Sequence, residues 1–68
     1  MNPENICDLP MVKADYRWIE HRARPACNGF RIKFDGGQID VDEASANQFA
    51  AEIEALAALI RARLLRAP

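Results

Sequence analysis

The sequence predicts a small α+β domain in the order helix–strand–strand–helix, assembled as a dimer. Three observations carry that prediction. Two alternating apolar runs flank a pair of glycines, a long alanine- and leucine-rich stretch follows them, and the chain has only 68 residues with which to cover that stretch.

The paired glycines are the most informative feature. Phe30, Ile32 and Phe34 alternate with Arg31, Lys33 and Asp35; after Gly36 and Gly37, Ile39 and Val41 alternate with Gln38, Asp40 and Asp42. Period-two alternation puts each apolar set on one side of a strand, and glycines supply the positive φ of a two-residue turn. With Gly36–Gly37 as the loop, Asp35 faces Gln38, Phe34 faces Ile39, Lys33 faces Asp40, Ile32 faces Val41 and Arg31 faces Asp42. Apolar pairs then share one face and both cations meet carboxylates on the other, which a one-residue slip would destroy. Strands are expected over about 30–35 and 38–42.

A helix is expected next, over about 43–66. Asp42 can cap its first N–H groups, Glu43 opposes the positive end of the dipole, and Ser45 with Gln48 offers a second capping box. Phe49, Ile53, Leu56 and Ile60 recur at helical spacing, joined by Leu59, Leu64 and Leu65, while the intervening alanines raise helix propensity. Arg61, Arg63 and Arg66 suit the carboxyl end. Such a helix is about 35 Å long. A hairpin with five-residue arms spans roughly 17 Å. The helix therefore outreaches the hairpin, and Leu56, Leu59, Ile60, Leu64 and Leu65 are expected to form a dimer interface.

Residues 1–9 are polar and aperiodic, and read as a flexible arm preceding a single domain over 10–68. Within it, Val12, Tyr16, Ile19 and Ala23 line one helical face between Pro10 and Pro25, which predicts a helix over about 10–24. The rival reading makes Asp15 to His21 a strand, because Tyr, Trp and Ile favour pleated surfaces. Pro25, Asn28 and Gly29 mark a turn.

Composition narrows the function. Half the residues are apolar, 28% are charged and the formal net charge is −1, the balance of a folded domain with no overall field for nucleic acid or membrane. No run is long enough to span a bilayer, and no basic-then-apolar leader opens the chain, so a cytoplasmic location is expected with Cys7 and Cys27 as free thiols.

Cys7, His21 and Cys27 carry zinc-type donors, but their spacing matches no compact finger and a fourth ligand is missing; two small thiols and a surface imidazole are the plainer reading. No metal or cofactor is therefore expected. A Cys27–His21 nucleophile and base would lack an oxyanion site, and no catalytic residue is assigned. Tyr16, Arg17, Trp18, His21, Arg22 and Arg24 combine aromatic and basic side chains in the manner of an interface hot spot, and are the expected partner-binding residues.

The expected function is a non-enzymatic protein–protein interaction module: a homodimeric regulator or inhibitor, of the kind phages and mobile elements encode, that binds and masks a macromolecular partner. The alternative is a dimeric DNA-binding regulator using Arg17, Arg22, Arg24, Arg31 and Lys33. A strand leading into a helix resembles ribbon-helix-helix repressors. Those use one strand per subunit followed by two helices, so no residue role is carried over.

Overall fold

The computed structural model describes residues 2–66. Four strands, β1 (Glu4–Asp8), β2 (Val12–Ile19), β3 (Cys27–Phe34) and β4 (Gly37–Asp42), form one antiparallel sheet in sequential order. A 3₁₀ turn at Glu43–Ser45 then leads into one long helix, α1 (Ala46–Arg66). The order is thus four strands and a helix, not helix–strand–strand–helix. Met1 of the expected arm and the last two residues of the expected domain lie outside the described residues.

The segment expected to be a helix over 10–24 is a strand, and the reason lies in a second periodicity. Val12, Ala14, Tyr16 and Trp18 alternate strictly with Lys13, Asp15 and Arg17. Pairing with β3 sets Val12 opposite Phe34, Ala14 opposite Ile32 and Tyr16 opposite Phe30, so the apolar sets merge into one face. A helix there would have left the second edge of β3 without a ladder partner. Part of the expected arm is likewise a strand: Glu4–Asp8 pairs with β2, with a bulge between Asn5 and Cys7. The connection is closed by the Leu9 N–H donating to the Val12 carbonyl at 2.9 Å.

The β3–β4 hairpin has the expected face and a different register. Phe34 pairs with Gly37, Ile32 with Ile39, Arg31 with Asp40 and Phe30 with Val41, so the loop is Asp35–Gly36. This register lies two residues from the expected one, and an even shift leaves every side chain on its face. Turn chemistry selects between the two. Gly36 alone takes a positive φ, of 88°, as the third residue of a type II turn requires. Gly36→Ala is therefore expected to cost about 1 kcal/mol, or roughly 4–8 °C of melting temperature in a chain this size. Gly37→Ala, with open space around it, should be neutral. Equal melting of the two variants would refute the register.

The two faces differ in kind. One is apolar: Val12, Ala14, Tyr16, Trp18, Phe30, Ile32, Phe34, Ile39 and Val41, with Ile6 at its edge. The other carries ion pairs, Lys13 with Asp8, Arg17 with Asp15 at 3.3 Å and Arg31 with Asp40 at 2.9 Å. Arg31 holds the Asp40 carboxyl below the usual carboxylate range through two hydrogen bonds. Because the folded pKa is the lower one, this contribution is complete above the unfolded-state value and is lost as pH falls through the folded one. Asp40→Asn should remove at most about 1 kcal/mol at neutral pH and flatten the acid limb of stability. Urea melts across the acid range showing the same limb in both proteins would contradict this.

The helix starts on the apolar face and then leaves it. Tyr16 packs against Phe30 in a tilted ring pair with centroids 5.2 Å apart and donates its hydroxyl to Glu43 Oε2 at 2.7 Å, which anchors the 3₁₀ turn. Ala46, Phe49 and Ala50 line a groove with Phe30, Ile32 and Val41. Beyond Ala50 the helix projects away. The described chain measures 47 × 23 × 18 Å, and its radius of gyration of 14.4 Å exceeds the value of about 11 Å for a compact chain of this length. No helix of the described residues is long and apolar enough to cross a membrane.

Candidate functional site

Two features stand out: a large bare apolar surface, and a cluster of polar side chains at the opposite end of the sheet from the β3–β4 turn.

The apolar surface follows from the projecting helix. Among the described residues only Ile19 and Val41 are buried apolar side chains, while twelve large ones are exposed. Phe49, Ile53, Leu56, Ile60 and Leu64 fall on a helical stripe about 100° wide. Along it exposure climbs from half-buried Phe49 to 41% at Ile53, 52% at Ile60 and 69% at Leu64. Of the expected interface, Leu56, Ile60 and Leu64 lie on this stripe, Leu59 on its flank and Leu65 on the far side. Trp18, Phe34 and Ile39 are exposed on the sheet. The helix thus outreaches the sheet, and among the described residues nothing folds back to cover its carboxyl half.

The polar cluster is built from three elements. Residues 20–26 bring His21 and Arg24 over the end of the sheet, β3 begins with Cys27, and β4 ends with Asp42. Gly29, paired with Asp42, makes room beneath: a Cβ there would lie 2.4 Å from the Val41 carbonyl oxygen and 2.7 Å from Ile19 Cδ1. His21 Nε2 sits 3.6 Å from Cys27 Sγ and 3.1 Å from Asp42 Oδ1, and Arg24 Nη1 holds Asp42 Oδ2 at 2.8 Å. His21 and Asp42 side chains are largely covered, at 12% and 18% exposure. Burial pushes the Cys27 thiol above its usual pKa, and the neighbouring Asp42 carboxylate adds to the shift. Asp42 occupies the cap position of the 3₁₀ turn but makes no side-chain cap hydrogen bond; its carboxylate is turned to His21 and Arg24 instead.

The expected partner-binding residues are separated by the strand geometry. Tyr16 and Trp18 lie on the apolar face, Tyr16 half-covered and Trp18 42% exposed, while Arg17 lies on the charged face beside Asp15. His21 and Arg24 belong to the Asp42 cluster, and Arg22 is exposed beside them. Of the five cations in the DNA-binding alternative, Arg17, Arg24 and Arg31 face carboxylates. Cys7 does not join His21 and Cys27. It sits on β1, two strands from β3 and level with Ala14, whereas Cys27 is level with Ile19; five residues of strand separate the two levels, roughly 16 Å. Both cysteines are free thiols. Asp42 is the member of the cluster that sequence reasoning assigned elsewhere, to the helix cap and to Arg31. Comparison with protein-family models, curated proteins and solved structures finds nothing that matches this chain.

Proposed function

We propose that this protein is a non-enzymatic interaction module that works as a homodimer and masks a macromolecular partner. One observation carries the reading: among the described residues twelve large apolar side chains stay exposed and two apolar side chains are buried. Monomeric proteins rarely expose contiguous patches of that kind, and chains this short gain stability by oligomerising.

A second copy is the occupant that fits. The α1 stripe and the sheet face lie on the same chain and both lack cover, so a two-fold arrangement that lays each stripe against the other copy answers both needs at once. A net charge of −1 opposes such pairing little. Trp18 and Arg22, at the far end of the sheet from its turn, are the aromatic and basic residues left to meet a partner.

Sedimentation or light scattering should give twice the 7.6 kDa chain mass at micromolar concentration. A monomer that melts cooperatively at that concentration would overturn the reading. Passing the protein over immobilised duplex DNA across a salt series tests the alternative. Salt-sensitive retention would favour a nucleic-acid partner, and passage without retention at low salt would favour the masking module.

A further inference from the structure

We propose that His21 Nε2, Cys27 Sγ and Asp42 Oδ1 form a binding site for one divalent transition-metal ion of the zinc class. Thiolate, imidazole and carboxylate are the three ligand types such ions take from proteins. Two of the three donor separations suit a tetrahedral ion. Bonds of about 2.3 Å to sulfur and about 2.1 Å to nitrogen and oxygen place sulfur and nitrogen about 3.6 Å apart and nitrogen and oxygen about 3.4 Å apart. The corresponding separations here are 3.6 and 3.1 Å, and all three donor atoms lie within 4.8 Å of one another.

The arrangement also discriminates against a proton relay. A nucleophile–base–carboxylate relay needs the thiol on one ring nitrogen of the histidine and the carboxylate on the other. Here both approach Nε2. With the imidazole proton on Nδ1, three lone-pair donors converge on one point. Asp42 Oδ1 is buried without a hydrogen bond, whereas Oδ2 is held by Arg24. An outer cation that fixes one carboxylate oxygen and leaves the other aimed at the convergence point acts as the outer shell of a metal site.

A cleft of about 560 Å³, lined by Arg24, Pro25, Cys27, Asn28, Asp42 and Glu43, opens beside the donors and admits water as a fourth ligand. On binding, the Cys27 S–H bond breaks, a sulfur–metal bond forms and the proton passes to solvent. The thiolate and carboxylate together balance the dication. The ion ties residues 20–26 to the end of β4, stapling a domain whose apolar core is too small to hold it firmly.

All three ligands come from one chain, so this site stands or falls independently of dimerisation. The test is titration of the reduced, full-length protein with Co²⁺, followed by displacement with Zn²⁺. Saturation at one ion per chain is expected, with a thiolate-to-cobalt charge-transfer band in the near ultraviolet and the strong visible bands of a four-coordinate ion. Cys7→Ser should keep the spectrum, Cys27→Ser should abolish the charge-transfer band, and His21→Ala should weaken binding more than about 100-fold, beyond the loss typical of an outer-shell partner. Should Cys27→Ser fail to fold, the Cys7→Ser titration still decides, because the chain has two cysteines. A wild-type protein without the band, or a band lost in Cys7→Ser, would overturn the site.

Discussion

Leu64→Asp, alone and combined with Ile60→Asp, is expected to convert the proposed dimer into monomers. Burying a leucine is worth about 1.5–3 kcal/mol, and a two-fold interface loses it twice. Placing a carboxylate in an apolar contact adds a desolvation cost. A loss of about 4–6 kcal/mol raises the dimer dissociation constant by about a thousandfold or more. Within one chain Leu64 is 69% exposed, so the substitution removes little intramolecular packing. The effect should therefore appear as a halved mass and a melting temperature that ceases to depend on protein concentration. Leu65→Asp is the control: Leu65 is 88% exposed and lies off the stripe, and its replacement should change mass far less. An unaltered mass for the Ile60/Leu64 double variant would remove the helix stripe from the interface.

The second large effect lies at Gly29. Its missing side chain lets β4 and Ile19 close over the start of β3, and an added Cβ would lie far inside van der Waals contact of the Val41 carbonyl oxygen. That neighbour is backbone, so relief requires β4 to move, not a side chain to turn. Overpacking of this kind costs about 1–3 kcal/mol and sometimes more. Gly29→Ala should thus lower the melting temperature by about 4–24 °C, and the larger, β-branched Gly29→Val should lower it further. It should also distort the His21–Cys27–Asp42 cluster, because Asp42 is the residue paired with Gly29. A Gly29→Ala protein melting within about 2 °C of the parent would show that the strands are less tightly apposed than the structure has them.

How far the sequence could be read depends on which interactions are local. Two-residue alternation from Phe30 to Val41 assigns each side chain to a face because a strand's geometry demands it, and the pairing of Phe30 with Val41 and Ile32 with Ile39 keeps that assignment. Helix propensity and spacing likewise place one long helix after the hairpin, and α1 runs from Ala46 to Arg66, the last described residue. Val12 to Trp18 shows the limit. The same residues satisfy a helical period through Val12, Tyr16 and Ile19 and a strand period through Val12, Ala14, Tyr16 and Trp18. Nothing within the segment arbitrates between them. The free edge of β3 does, since its N–H and C=O groups need a ladder.

The candidate sites divide in the same way. His21 and Cys27 are six residues apart and were visible together, but Asp42 joins them only because β3 and β4 pair with Gly29 opposite it. The apolar stripe of α1, its length and its excess over the hairpin were determined by the sequence itself, since they rest on periodicity and on the rise per residue. Tertiary structure alone decided that the first segment is a strand, that Tyr16 and Arg17 face opposite ways, and that a thiol, an imidazole and a carboxylate meet. Each of these depends on contacts between residues distant in the chain, whose free energies no local window contains.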